Sequence, residues 1–268
     1  MRRPLIALAL ATAIASPALA QNVSAGSGIA PATVANSAGR PIGFSGTVPA
    51  SGVLVIPMRD ASLPANIVDP VTAQAIDTAI AAAKYEGKQG SMLSLRGIGG
   101  YARILLAGTG NEGDRAANIR DAAGKAAQEL KEEAQPVALA GGLTQNEAAA
   151  AALGFALGQY RFDRYKTVEK KAPPSQSVTV VSADSAAAEA LWKSRYAALA
   201  EGVALARDLA TEPANVIYPE SFVDRVRAAM GTTANVKFEV LDEAAMRKLD
   251  MGSLVGVGQG SRRPSRLL

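Results

Sequence analysis

A chain of 268 residues, 49% hydrophobic and 19% charged, has the composition of one large or two modest globular domains, which excludes a disordered or collagen-like polymer. It has no cysteine and no histidine, so disulfides, the common zinc ligand sets and Ser–His or Cys–His machinery cannot be built from it. The net charge is +4, but Arg2 and Arg3 lie in a leader; without them 26 basic residues face 24 acidic ones, and no nucleic-acid partner is expected.

The first twenty residues read as a signal peptide. Arg2 and Arg3 form a basic start, Leu5 to Ala15 an apolar stretch, and Ala18-Leu19-Ala20 the small-x-small pattern that places cleavage between Ala20 and Gln21. The apolar stretch is shorter than the roughly 20 residues that span a bilayer, so no stable membrane anchor is expected. A periplasmic or secreted location follows. Residues 21–45 are rich in Gly, Ser, Ala and Pro without an apolar period, and read as a flexible linker.

Gly52 to Pro57 is an apolar run that predicts a buried strand. Asp69-Pro70 predicts a helix start, with Val71, Ala75, Ile76, Ala79 and Ile80 facing inward and Gly87 as the stop. Ser91 to Arg96 and Tyr101 to Ala107 predict two strands joined by the turn Gly97 to Gly100. A helix from Arg115 to Glu133 and a strand from Val137 to Ala140 follow. The capping box Thr144-Gln145-Asn146-Glu147 then opens an alanine-rich helix reaching Tyr160.

Arg161 to Pro174 (RFDRYKTVEKKAPP) is polar and basic, and reads as a domain boundary. Beyond it the sequence predicts a strand Val178 to Val181 and a helix Ser185 to Ala210 ended through Pro213. A helix from Pro219 to Gly231 follows, with Phe222, Val223, Val226 and Met230 inward. A strand Val236 to Val240, a short helix capped by Asp242 and a buried run Ser253 to Gly258 complete the chain. The fold class is α/β: a mixed-sheet N-terminal domain flanked by helices over 46–172, then an incomplete second α/β domain over 173–268.

Four groups of residues are candidate sites. Gly108 to Gly113 (GTGNEG) matches a dinucleotide fingerprint between strand and helix. Glu112 and Asp114, however, put negative charge where a pyrophosphate would sit, and a tight turn is the preferred reading. Gly256, Gly258 and Gly260 with Arg262 and Arg263 could cradle an anion, and again a turn is preferred. Arg161, Arg164, Lys166, Lys170 and Lys171, interleaved with Tyr160, Phe162 and Tyr165, could bind phosphates, and a solvated linker is the preferred reading. Asp208 and Glu212, spaced i and i+4, could bind a hard metal or share a proton, and surface acids are the preferred reading.

Several motifs carry a resemblance. YARILLAGTG at 101–110, YRFDRYKT at 160–167, EPAN at 212–215 with Pro219, and GVGQGS at 256–261 with Pro264 resemble, in order, the leucyl aminopeptidase (cytosol aminopeptidase) family. The likeness covers about Gly52 to Leu268. Thr211 departs from it where an asparagine is usual, and Asp250 where a glycine is common. The resemblance implies a hexameric exopeptidase acting on peptides with a free N-terminus, often at leucine. Two divalent ions such as zinc or manganese would polarise the carbonyl and activate water.

In that family the ligands, a lysine and several carboxylates, follow the G-x-G-S segment. Leu268 precedes them, so the expectation is an N-terminal fragment with no catalytic residue and no metal-binding residue, binding no metal ion itself. The alternatives are a non-catalytic N-terminal-domain protein with a subunit-association or ligand-binding role, and a nucleotide-binding module built on Gly108 to Gly113. The family's usual home, the cytoplasm, is the alternative to export. Mass spectrometry of the native protein should find Gln21 as the first residue, and an intact Met1-to-Ala20 leader on the soluble protein would contradict the export reading.

Overall fold

The computed structural model describes residues 39–167, 176–231 and 233–268. The segment read as a signal peptide and most of that read as a 21–45 linker lie outside the described residues, as does much of the basic run, including Lys170 and Lys171. Six strands, β1 (Ile42–Ser45), β2 (Gly52–Met58), β3 (Met92–Leu95), β4 (Tyr101–Gly108), β5 (Val137–Leu143) and β6 (Val178–Ser182), form one sheet in the order β1-β6-β5-β2-β4-β3. All neighbours are parallel except β3, which returns antiparallel on β4.

Alternation along the strands explains why both faces are covered. Val53 and Val55 of β2, with Leu105, Ala107 and Leu139, point to one face. Leu54, Ile56 and Met58, with Ile104, Leu106, Ala138 and Ala140, point to the other. With every residue of β2 buried, its unbroken apolar run is that of a central parallel strand. Helix α1 (Pro70–Ala83) covers the second face through Ile76 and Ile80, and starts where the Asp69 carboxylate accepts the amides of Val71 and Thr72, both at 3.0 Å.

Helices α2 (Arg115–Glu129) and α3 (Gln145–Gly158) cover the first face together. Alanines belong to the core they share with the sheet, among them Ala122, Ala126, Ala148 and Ala151, all buried. A Cβ on Gly154 would collide with the carbonyl oxygen of Arg120, and one on Gly158 with that of Gly124. The two backbones therefore approach closely because glycine stands at the crossing. At the start of α3, Thr144 Oγ1 accepts the Glu147 amide at 3.4 Å while Glu147 accepts the Thr144 amide at 2.8 Å, the capping box expected from sequence.

Helix α4 (Ser185–Leu191) continues through a π turn, Trp192–Tyr196, into α5 (Ala197–Thr211), so the expected long helix is present with one wider turn. Glu212 then leaves helical geometry for φ −60° and ψ 136°, as a residue before proline does. Helices α6 (Pro219–Met230), α7 (Glu243–Lys248) and α8 (Gly252–Gly258) follow.

Several expectations are corrected. Residues 39–45 are not a tether: β1 pairs with β6. Arg40 is buried and donates to the carbonyls of Gln135, Gln176 and Glu133. Strand β6, placed by sequence in a second domain, sits between β1 and β5 of the first sheet. Val236 to Val240 forms no strand, and 252–258 is a helix with Leu254 and Val257 exposed and only Val255 buried. Its closely spaced glycines leave no apolar stripe wide enough to pack. Val71 is exposed, because Thr72 takes the inward place at that turn of α1. That helix ends at Lys84 in left-handed conformation, before Gly87. Helix α2 stops at Glu129 and not Glu133. On α6 only Val223 is buried, while Phe222 and Met230 are exposed.

Replacing Gly154 by Ala should push α2 and α3 apart and lower stability by about 1–3 kcal/mol, read as a lower urea midpoint at constant m. An unchanged midpoint would show that the helices do not touch there.

Candidate functional site

The most concentrated polar chemistry among the described residues lies where the end of the sheet unit meets the α5–α6 elbow. Asp208 and Glu212, spaced one turn apart on α5, point to the same side, as their i and i+4 spacing requires. They are not surface acids: Asp208 is 7% exposed and Glu212 5%. Tyr160 Oη donates to Asp208 Oδ1 at 2.8 Å. Burial first, then this hydrogen bond, hold the Tyr160 phenol above its ordinary pKa, so it remains a donor.

Glu212 is the more heavily used acid. Its side chain has no solvent exposure, and Oε1 accepts from Arg225 Nη1 of α6 at 2.7 Å and from Arg164 Nη1. Tyr165 Oη donates to Oε2. A carboxylate taken out of water costs several kcal/mol unless paired, and here two guanidinium groups and a phenol supply that pairing. Pro213 places the group: by ending α5 at Thr211 it turns Glu212 outward from the helix ladder and toward both neighbours.

The described end of the basic run, 161–167, is therefore pinned. Arg161 Nε reaches Asp163 at 2.8 Å and its Nη1 the Lys131 carbonyl at 3.2 Å, while Arg164 lies 5.6 Å from the Phe162 ring centre. Arg207 stacks 5.4 Å over the Tyr160 ring and donates to the Leu157 carbonyl at 2.7 Å. Sequence reading singled out Tyr160, Arg161, Phe162, Arg164, Tyr165, Asp208 and Glu212, but missed Arg207 and also Arg225, which lies in no motif. The one available signal for Arg225 was its place on the helix that follows the proline turn after Glu212.

The other candidates resolve into turns. Thr109 donates its amide to the Met58 carbonyl at 2.7 Å, Gly110 to Gly87 at 2.9 Å, and Asp114 accepts the amides of Ala116 and Ala117 at the start of α2. A phosphate would find those amides engaged. Gly256 and Gly258 lie in α8, Ser261 closes a turn on Gly258 at 2.9 Å, and Arg263 stacks 4.0 Å over the Tyr218 ring. Among the described residues no three His, Cys, Asp or Glu side chains converge as metal ligands. Asp208 Oδ1 and both oxygens of Glu212 already accept from phenols or guanidinium groups. These residues do not fit a two-metal centre.

A parallel-cored α/β sheet joined by a buried ionic cluster to a helical segment defines the architecture of a two-part α/β protein. Comparison with known proteins is specific. The model of the cytosol aminopeptidase family, N-terminal domain, matches residues 53–169, and that of the family's catalytic domain matches 204–268. The chain belongs to the cytosol aminopeptidase family. It is 42% identical over 204 residues to a probable cytosol aminopeptidase of Bradyrhizobium sp., covering 72% of this chain and 40% of that protein. A probable cytosol aminopeptidase of Afipia carboxidovorans is 40% identical over 232 residues, covering 81% of this chain and 45% of that one.

Among solved structures, a mutant of tomato leucine aminopeptidase superposes with a TM-score of 0.70 at 22% identity, over 87% of this chain and 50% of that one; this likeness bears on fold alone. The bottromycin maturation enzyme BotP, in complex with Mn, gives a TM-score of 0.60 at 26% identity, over 81% and 44%. The chain thus spans less than half the length of the curated relatives it matches here. The cluster links the two matched segments, with Tyr160, Arg164 and Tyr165 in the first and Asp208, Glu212 and Arg225 in the second.

Replacing Glu212 by Ala should remove the acceptor that two guanidinium groups share and lower stability by about 3–5 kcal/mol, measured by urea unfolding. Asp121→Ala, which removes an exposed acid paired with Arg120, should cost little. Equal, small effects would mean that the buried pairing contributes nothing.

Proposed function

We propose that this chain is the N-terminal part of a leucyl aminopeptidase-type metallo-exopeptidase that releases N-terminal residues from peptides. The observation that carries the reading is the match of both family models, in order, on one chain. Two divalent ions, zinc or manganese, would be the cofactors of the whole enzyme, and a hexamer its assembly. The manganese recorded with BotP supports the metal class. Because the residues described do not fit a two-metal centre, the ligands are placed in the part of the family sequence that this chain does not span, and no catalytic residue is assigned to it.

The sheet unit is proposed to extend through β6, so that the division between parts falls after Ser182 and not at 172. The leader at 1–20 supports export to the periplasm, while the cytosolic designation of the relatives supports the cytoplasm. No helix among the described residues is long and apolar enough to cross a membrane.

The test is hydrolysis of leucine p-nitroanilide with zinc or manganese added, on protein free of host aminopeptidase. A polypeptide extended to the full length of its relatives should turn over this substrate, and the 268-residue polypeptide should not. Turnover that co-purifies with the 268-residue polypeptide would place the active site within it and overturn this assignment.

A further inference from the structure

The joint between the two matched segments is built unlike the rest of the molecule. Across the sheet and helices α1 to α3, burial is mainly apolar, with a few buried polar side chains such as Thr72, Arg103 and Asn118. On α5 the only buried residue is Asp208, and on α6 the only one is Val223. Over residues 197–268 the buried hydrophobic side chains are Val223, Met246 and Val255, while Leu199, Phe222, Met230, Leu249, Leu254 and Val257 are exposed. Apolar packing, which is non-directional and scales with area, therefore does little to fix the elbow against the sheet unit.

We propose that Glu212 is a conformational latch: one buried carboxylate that docks the helical lead-in, residues 213–268, onto the end of the sheet unit at 160–165. The inference rests on this geometry and is independent of the aminopeptidase reading. The carboxylate is shared between two sides. Arg164 and Tyr165 come from the sheet unit, and Arg225 comes from α6 across the Pro213 turn. Asp208 and Tyr160 add a second tie one helical turn earlier.

Directional bonds of this kind specify a single orientation, and removing the one carboxylate they share removes all three at once. Releasing the latch frees the 160–167 segment and α6 together and leaves the sheet intact. Subglobal opening of this type is read by amide exchange.

The experiment is hydrogen–deuterium exchange of the full chain, compared with Glu212→Gln, which keeps the shape and removes the charge. The expected result is exchange at least tenfold faster in peptides covering both 160–167 and 219–230, with 53–58 and 101–108 unchanged. Tyr165→Phe removes one donor and leaves both guanidinium groups. It should give the same pattern at smaller amplitude, and it keeps the test available where Glu212→Gln does not fold. Unchanged exchange in either joint segment of the variants overturns the latch. So does equal acceleration in the sheet, which would make Glu212 a determinant of global stability only.

Discussion

A carboxylate with no access to water constrains everything at the junction of this molecule. Glu212 cannot be buried as an anion unless cations and donors are brought to it, and the chain brings them from opposite directions: Arg164 and Tyr165 from the sheet unit, Arg225 from α6. Pro213 makes that arrangement possible by ending α5 one residue before the acid. The family motif EPAN at 212–215 therefore has a physical content. Its glutamate is the shared acceptor, and its proline is the helix break that presents the acceptor to both sides.

The two regions joined there are stabilised differently. The sheet unit follows from alternation along fully buried strands and from glycines that let α2 and α3 approach to backbone contact. The helical segment buries few apolar side chains and shows several large ones to solvent. It is placed by polar bonds more than by area. Arg40 plays a comparable part at the other end of the described chain, holding the approach to β1 through three carbonyl acceptors.

Most elements of the sheet unit were legible because local chemistry and period agree there. The Asp69 and Thr144 caps, the β3–β4 hairpin and the β2 run are all local signals that tertiary packing reinforces. Strand β1 was not legible, because Ile-Gly-Phe-Ser has the composition of a linker and is ordered by pairing with a strand 136 residues away and by packing Ile42 and Phe44 on the core. The same long-range pairing hid the true place of β6. In 252–258, a hydrophobic run bounded by glycines could not be told from a strand by periodicity, and it is a short helix. The acids Asp208 and Glu212 were visible as a pair but not as buried. Their burial depends on partners 48 residues upstream in Tyr160 and Arg164, and 13 residues downstream in Arg225. No spacing rule reports such partners.

The junction depends on Glu212 and Arg225 of α6 interacting across the proline turn as a buried pair. A double-mutant cycle on the full chain, combining Glu212→Gln with Arg225→Met and measured by urea unfolding, isolates that interaction from the effects of each substitution alone. A buried pair should give a coupling of at least about 1 kcal/mol, with the double variant losing less than the sum of the single ones. Strict additivity of the two substitutions would contradict it.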